Sequence, residues 1–328
     1  MSLDKVTITR RGMITAAAGA TAGFAAGAAF PGTALAAAPK SGHAVPSYYR
    51  FDLGGFEVTT ILDGSVQVDG PHPIFGESVS AAEVQELAAQ HFLPAEKMAI
   101  SFTPVIVNTG SELVLFDTGN GAARRPDAGK LASLLGTAGF QPEQVDLVVI
   151  THFHPDHIGG LMEGGQPLFP NARYVTSEVE YDFWSPEDKL SGPTERVATL
   201  VQANIVPLAD KIAFVKEGDT VAPGIEAIAA FGHTPGHMVF HIESAGERLL
   251  LTADTANHFV MSLGRPDWHV RFDMDKEQAV ASRKRIFDMV AADRIPFTGY
   301  HMPFPAVGYV EKQDLGYRYV PASYQLSL

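Results

Sequence analysis

The chain has 328 residues, of which 46% are hydrophobic, enough for one large domain or two small ones with a sizeable core. It contains no cysteine, which excludes a disulfide framework and any metal site with a thiolate ligand, so metal ligands must be His, Asp or Glu. The net charge of −13 disfavours nucleic acid as a partner, because nucleic-acid binding needs a basic surface.

Residues 1–38 have the pattern of an export signal. Arg10 and Arg11 form a twin-arginine motif, a weakly apolar Gly/Ala-rich stretch follows, and small residues around Ala36 offer a cleavage site. An uncleaved anchor or a disordered tail is the alternative, but the weak hydrophobicity argues against a retained membrane span. We therefore predict a periplasmic or secreted protein, exported by the twin-arginine route, with no stable membrane anchor.

Cleavage of this signal would remove one acidic and three basic residues. The remaining 36 acidic and 21 basic residues give a net charge of −15. A Pro/Ser-containing linker over 39–48 then leads to a single predicted domain over 49–328. Such an acidic surface favours neutral or cationic substrates over polyanions.

The first part of this domain predicts two hairpins and two helices. The hairpins cover 49–62 and 105–116, where alternating apolar residues flank glycine-containing turns. One helix is predicted from Ser80 to about Gln90, since Ser80 and the glutamate three residues later can form a capping box. A second helix is predicted from Lys130 to Ala138, ended by a glycine.

The later part of the domain alternates strands with helices. Strands are predicted over 148–150, 172–176, 225–229, 238–242, 248–251 and 295–297, with helices from Ser177 and from Asp275 to about Val290. Early hairpins followed by this alternation predict an α/β (α+β) fold in which two sheets pack face to face under covering helices.

Three histidines and one aspartate fall within six residues directly after the apolar strand 148–150: His152, His154, Asp156 and His157. Imidazole and carboxylate are ligands for zinc and similar divalent metals. Alternate side chains of an extended segment point the same way, so His152 and His154 can share one ion. Asp156 and His157 would face a second ion beside it. A polar loop with several histidines is the alternative, but such a loop does not need this spacing.

This stretch resembles the His-x-His-x-Asp-His signature of the metallo-β-lactamase superfamily. Four further segments match superfamily motifs in the expected order, namely those that contain Asp117, His233, Asp254 and His301. The resemblance extends over roughly residues 50 to 305. It implies an αββα four-layer sandwich with the site at one edge.

The resemblance also implies two divalent ions. Their ligands would be His152, His154 and His233 for one ion, Asp156, His157 and His301 for the other, and Asp254 between both. A bridging carboxylate can span ions about 3.5–4 Å apart, and a bridging hydroxide would be the nucleophile. Asp254 and Asp156 are the predicted catalytic carboxylates, with Asp156 as proton shuttle. Zinc is the default metal, while Mn, Co and Fe suit the same ligands.

Each of the later ligands has a structural alternative: His233 can be a turn residue, Asp254 can cap a turn, and His301 has the weakest motif around it. Asp117 is expected to orient the metal loop through hydrogen bonds, and His237 to have a similar supporting or structural role. The remaining histidines, His43, His72, His91, His241 and His269, are interpreted as surface or packing residues.

Two residues are predicted to line the substrate pocket. Trp184 matches an aromatic pocket residue of the methyl parathion hydrolase family, although core packing explains it equally well. His258 lies in the segment Asn257-His258-Phe259, which is more polar than the wall expected of a dedicated organophosphate hydrolase. A polar wall fits a lactone or ester carbonyl better, with His258 as a hydrogen-bond donor; exposure to solvent is the alternative.

The segments 169–172, 182–184, 232–237 and 316–321 resemble those of the methyl parathion hydrolases, and the full ligand set resembles that of lactonase-like members. The resemblance implies a homodimer and an aromatic pocket for the substrate, and an acidic surface with an apolar pocket fits a small, neutral, hydrophobic substrate. We predict hydrolysis of lactones or aryl carboxylic esters, with cleavage of organophosphate triesters as a secondary activity. The alternatives are a dedicated organophosphate hydrolase, a β-lactamase, a thioesterase, an iron-dependent oxidoreductase and a non-catalytic binding protein.

Overall fold

Two seven-stranded sheets form the centre of residues 46–323, the part of the chain that the computed structural model describes. The strands are β1 (Tyr48–Leu53), β2 (Phe56–Ile61), β3 (Gly64–Asp69), β4 (Lys97–Phe102), β5 (Val105–Asn108), β6 (Leu113–Phe116), β7 (Leu147–Val149), β8 (Met162–Glu163), β9 (Gln166–Pro167), β10 (Arg173–Ser177), β11 (Ile212–Val215), β12 (Thr220–Ala222), β13 (Ile225–Ala229), β14 (Met238–Ser244), β15 (Glu247–Ala253), β16 (Phe297–Gly299), β17 (Val307–Gln313) and β18 (Gly316–Pro321).

The α-helices cover these sheets. They are α1 (Ala81–Gln90), α2 (Leu131–Thr137), α3 (Pro155–Ile158), α4 (Glu178–Trp184), α5 (Glu195–Asn204), α6 (Met261–Gly264) and α7 (Lys276–Asp293). None of the helices in residues 46–323 combines the length and the hydrophobicity that a membrane span needs. The predicted signal over 1–38 and linker residues 39–45 lie outside the described residues, so export remains a prediction.

Both sheets are mixed, and each contains parallel strands near its centre. The first has the order β1-β2-β5-β6-β7-β10-β11, antiparallel as far as β6 and parallel from β6 to β11. The second has the order β12-β13-β14-β15-β16-β17-β18, in which only β15 and β16 run parallel. Because the carboxyl ends of β6, β7 and β10 meet at one edge of the first sheet, residues that follow these strands lie close together.

The two sheets pack face to face through alternating residues of their strands. In β6, Val114 and Phe116 contact the second sheet, where the ring of Phe240 lies 5.3 Å from that of Phe116. Leu113 and Leu115 point to the opposite face, in a cluster with α2, α4 and α5. The outer face of the second sheet packs against α6 and α7. The arrangement is the predicted αββα four-layer sandwich.

Most of the predicted elements occur, with small shifts at their ends. Ser80 caps α1 in a capping box with Glu83, and α7 begins after its cap Asp275 but runs three residues further than predicted. The sequence did not predict the hairpin of β3 and β4. Its strands are separated by 27 residues that include α1, so no local turn marks the pairing.

Candidate metal centre

Each of the seven predicted ligands lies in a segment that follows the carboxyl end of a strand. His152, His154, Asp156 and His157 come after β7; His233, Asp254 and His301 follow β13, β15 and β16. The structure brings all seven together in two groups, His152 with His154, His233 and Asp254, and Asp156 with His157 and His301. Apart from Asp254, which the superfamily resemblance implied between both ions, these groups contain the residues that it implied for each ion.

The first group places three imidazole nitrogens around one point. His154 Nδ1 lies 3.1 Å from His152 Nε2 and 2.9 Å from His233 Nε2, and Asp254 Oδ2 lies 3.2 Å from His233 Nε2. Burial lowers the pKa of His154 to about 3, so its ring stays neutral at ordinary pH with a lone pair available. Imidazole nitrogens that converge on one point in this way are the ligand arrangement of zinc-type ions.

The second group is built around Asp156. One of its carboxylate oxygens lies 3.6 Å from His157 Nε2 and 3.5 Å from His301 Nε2. Asp254 reaches this group as well, with Oδ1 3.2 Å from His157 Nε2 and Oδ2 3.1 Å from His301 Nε2. Asp254 therefore touches both groups, as a bridging carboxylate must.

Unpartnered polar atoms show that the residues fit metal ions. His157 Nε2 and Asp254 Oδ1 are buried and form no hydrogen bond. Leaving a buried polar atom without a partner costs about 1–3 kcal/mol, and these two atoms face each other. The carboxylates also favour a cation here: burial lowers the pKa of His233, but hydrogen bonds that its ring donates to Asp254 and Asp273 raise it to about 9. The donor set and its charge suit a pair of divalent cations.

Asp117 holds the motif that begins with Thr151. Its carboxylate accepts hydrogen bonds from Thr151 N and Oγ1, each at 2.9 Å, and lies 2.8 Å from His157 Nδ1. Asp117 has a φ of +59°, a left-handed conformation that turns its side chain back toward the loop after β7. The bond to Nδ1 leaves Nε2 of His157 free to bind a metal.

Asp273 supports His233 in the same way, and sequence reasoning missed it. Its Oδ1 lies 2.9 Å from His233 Nδ1, and its Oδ2 accepts a 2.7 Å bond from the fully buried Arg283. His301 is oriented by the backbone instead, with Nδ1 2.7 Å from the carbonyl oxygen of Ser101 in β4. No local signal marks Asp273, which lies 40 residues along the chain from His233.

Glu180 is the second residue that sequence reasoning missed. The side chain is fully buried and accepts four hydrogen bonds at 2.8–3.0 Å, from Phe153 N, Trp184 Nε1, Thr234 Oγ1 and Gly236 N. Phe153 lies between His152 and His154, while Thr234 and Gly236 follow His233. A single carboxylate thus fixes two ligand loops from opposite sheets relative to each other.

His237 supports Asp254 rather than facing the ligand cluster. Its Nε2 accepts a 3.1 Å hydrogen bond from the backbone N–H of Asp254, and its Nδ1 donates to the carbonyl of Ala230. Burial lowers its pKa to about 3, which keeps the ring neutral and able to accept that bond. Both ring nitrogens are occupied, so His237 has a supporting role.

A cavity of about 480 Å³ opens over the two ligand groups. His154, Asp156, His233, Asp254 and His301 form its floor. The apolar wall comes mainly from the β3–β4 hairpin and the segments around it, with Val66, Val68, Ile74, Phe75, Ile100, Phe102, Val197 and Phe272. This volume lies in the range of small-molecule sites, and the ligands lie open to it.

The two predicted pocket residues do not line this cavity. Trp184 is 2% exposed and packs in the core beside α5, with its Nε1 bound to Glu180, so its position is that of a core residue. His258 lies on a separate cavity of about 400 Å³, and its Nδ1 accepts the backbone N–H groups of Val260 and Met261. Asn257 supplies the polar wall instead, with Nδ2 2.9 Å from Asp254 Oδ2.

Known proteins share this fold and parts of this sequence. The chain is 27% identical over 174 residues to an N-acyl homoserine lactonase from Bacillus cereus, a match that covers 52% of this chain and 62% of the relative. The chain thus spans less than two thirds of the length of the curated relatives it matches.

Two solved structures resemble the whole described fold. AidC, a dizinc quorum-quenching lactonase in complex with a product, superposes with a TM-score of 0.78 at 26% identity and covers 85% of this chain and 98% of its own. The hydrolase AbOPH of the beta lactamase superfamily gives 0.78 at 27% identity, with 86% and 99% covered. The family model of the metallo-beta-lactamase superfamily matches residues 103–298, so the chain belongs to that superfamily.

Proposed function

We propose that this protein is a dinuclear metal-dependent hydrolase that cleaves lactones and aryl carboxylic esters. The observation that carries the proposal is the pair of adjoining ligand groups with Asp254 in contact with both, open to a cavity with an apolar wall. The similarity to AidC, itself a dizinc lactonase, supports both the paired ions and the lactone substrate.

The ligand sets would hold two divalent ions, and zinc is the metal we propose. When bound, two such ions lower the pKa of water toward 7 and polarise the scissile carbonyl. Asp254 would hold the ions at a fixed separation, since its carboxylate contacts ligands of both. Asn257 Nδ2 and the His237 ring fix that carboxylate and its backbone.

The position of Asp156 supports a role in proton transfer. Its side chain is 19% exposed, whereas that of Asp254 is 4% exposed, and it lies on the cavity floor. Tyr300 fixes its backbone through a 2.6 Å hydrogen bond to the Asp156 carbonyl. We propose that the Asp156 carboxylate accepts the proton that the attacking water or hydroxide gives up and passes it to the departing alkoxide. Aryl and lactone leaving groups need less help at this step than amides.

A substrate panel tests the proposal. Zinc-loaded protein is compared on acyl lactones, aryl esters, phosphotriesters and a β-lactam, with metal content measured on the same preparation. We expect two zinc ions per chain and the highest kcat/KM on lactones or aryl esters, with phosphotriesters slower. Preference for the β-lactam, or for phosphotriesters by a clear margin, would overturn the substrate assignment. A single tightly held ion would overturn the dinuclear centre.

Export and assembly remain predictions. The twin-arginine pattern supports secretion to the periplasm or beyond, and a fusion of residues 1–48 to a reporter tests it. The homodimer expected from the resemblance is tested by the mass of the protein in solution.

A further inference from the structure

Arginine side chains stand out on the wall of the active-site cavity. Arg124, Arg196 and Arg271 line it, although the chain as a whole carries a net charge of −13. They come from three separate segments: the 3₁₀ turn Ala122–Arg124, the first turn of α5, and the loop before α7. Although the protein is acidic, basic side chains thus line the same cavity as the candidate metal ligands.

Two of these arginines have no partner within the described residues. Arg271 lies 3.8 Å from Glu77, but neither Arg124 nor Arg196 forms a side-chain hydrogen bond or an ion pair in residues 46–323. Elsewhere arginines are commonly paired: Arg125, the direct neighbour of Arg124, makes two 2.8 Å bonds to Glu163. Arg124 is half-buried and Arg196 is exposed, so both guanidinium groups are available to a molecule bound in the cavity.

The backbone of the segment that contains Arg124 is fixed relative to residues 152–160. Gly121, three residues before Arg124, has a φ of +65°, and a Cβ at Gly121 would lie 2.1 Å from the carbonyl oxygen of Gly159. Only glycine permits this close approach to the segment that follows His157. Buried Asp63 holds both ends of the Arg124 segment through 3.0 Å and 2.9 Å hydrogen bonds from Asn120 N and Gly129 N.

We propose that Arg124 and Arg196 bind a carboxylate carried by the substrate on the part of the molecule remote from the scissile ester or lactone. This inference rests on the proposed hydrolase function and narrows its substrate class. Guanidinium pairs with carboxylate through charge-assisted hydrogen bonds, and its planar fork is suited to that group. Asp69 and Asp156 line the same cavity, which disfavours a group with two negative charges such as a phosphate monoester.

Matched ester pairs that differ only in this charge test the inference. One pair is mono-(4-nitrophenyl) adipate and its methyl ester, with the charge on the acyl part. The other is 4-acetoxybenzoate and its methyl ester, with the charge on the leaving part. For at least one pair, we expect zinc-loaded protein to show a kcat/KM at least about tenfold higher for the anionic member, as one charge-assisted contact provides. A ratio at or below one for both pairs would overturn the inference.

Variants then locate the effect. The double variant Arg124→Gln/Arg196→Gln should bring the preferred ratio close to one, and Arg124→Lys/Arg196→Lys should restore part of it. The control Arg248→Gln/Arg318→Gln makes the same change in net charge at exposed arginines that pair with Asp293 and Glu311, and it should retain the ratio. A ratio that survives in the Arg124/Arg196 glutamine variant, or is lost in the control, would show that the two arginines do not recognise the carboxylate.

Direct binding separates this inference from the proposed function. Calorimetry with adipate on zinc-loaded protein should show a Kd weakened about tenfold or more in the Arg124→Gln/Arg196→Gln variant and unchanged in the control. If no ester or lactone is hydrolysed, the proposed function fails, yet this binding result still decides the role of the arginines. Equal Kd values for wild type and the glutamine variant would overturn that role.

Discussion

Replacing Glu180 by glutamine should loosen the metal centre without touching a ligand. The carboxylate accepts bonds from Phe153 N and Trp184 Nε1 on one oxygen and from Thr234 Oγ1 and Gly236 N on the other. Since Phe153 and Gly236 belong to the two ligand loops, the side chain ties the loop of His152 and His154 to the loop of His233.

The size of the effect follows from these four donors. Neither donor on the first oxygen can reverse its role, so the amide NH₂ of Glu180→Gln must face Thr234 and Gly236. The Thr234 hydroxyl can rotate to accept, but the Gly236 N–H is left without a partner. An unsatisfied buried N–H costs about 1–3 kcal/mol. Burial raises the pKa of Glu180, so neutralising the side chain recovers part of a desolvation cost and keeps the net loss within that range.

Glu178→Gln is the matched control, because Glu178 is exposed on the same helix and the substitution changes the charge equally. Urea unfolding of metal-free protein should show Glu180→Gln less stable than this control by about 1–3 kcal/mol. Zinc affinity, measured against a competing chelator, should fall by roughly 10–100-fold, as it does when supporting partners of ligands are lost. Equal stability and equal zinc affinity in the two variants would refute the idea that this carboxylate orients the loops.

Three further substitutions probe the bridge, the core tryptophan and the buried histidine. Asp254→Ala should abolish ester hydrolysis and remove one metal equivalent by elemental analysis; retained activity would contradict the bridging role. Trp184→Phe should lower the free energy of unfolding by about 1 kcal/mol through its lost hydrogen bond and leave KM unchanged, whereas a raised KM would indicate that Trp184 lines the substrate pocket. Burial lowers the pKa of His258 to about 4, below about 6.5 in the unfolded chain, so its neutral form contributes stability above pH 6.5 that is lost as the pH falls to 4. The acid-induced loss of stability should therefore be smaller in His258→Asn by up to about 3 kcal/mol, and equal losses in both proteins would contradict this.

The clustering of the candidate ligands was predictable because each follows a recognisable strand. The apolar run before His152 and the strands before Asp254 and His301 are recognisable in the sequence, so the residues at their carboxyl ends can be identified. Parallel strands bring those ends to one edge of a sheet. His152, His154 and His157 lie close together in the chain, so their spacing is visible in the sequence as a motif. The two packed sheets followed from the order of early hairpins and later alternating strands and helices, and the family resemblance implied the αββα sandwich. Val114 and Leu115 face opposite layers of it.

The supporting residues were not predictable, because their partners are distant in the chain. Asp273 binds an imidazole 40 residues away, and Glu180 joins loops 27 and 54–56 residues away. An acidic residue in a helix is usually solvated, and nothing local distinguishes Glu180 from Glu178. Trp184 shows a different limit of sequence reasoning. An aromatic residue fits a core or a pocket equally well, and the hydrogen bond to Glu180 identifies Trp184 as a core residue.

The substrate inference shows why bulk charge is a weak guide to what a site binds. The net charge of −15 expected after signal cleavage favoured neutral or cationic substrates in the sequence analysis, yet that charge is spread over a surface whose field is screened within about 8–10 Å at ordinary salt. Arg124 and Arg196 lie on the cavity itself, so they act on a bound molecule at contact distance, where screening is weak.

The two effects differ in range, and therefore in their response to salt. The overall acidity should slow the encounter with an anionic ester most at low ionic strength, which would appear as a kcat/KM that rises with moderate salt. Salt screens the direct contacts of the arginines with the bound ester only at high concentration. At all lower salt concentrations, the ratio of kcat/KM for the anionic ester to kcat/KM for the neutral ester should therefore remain above one.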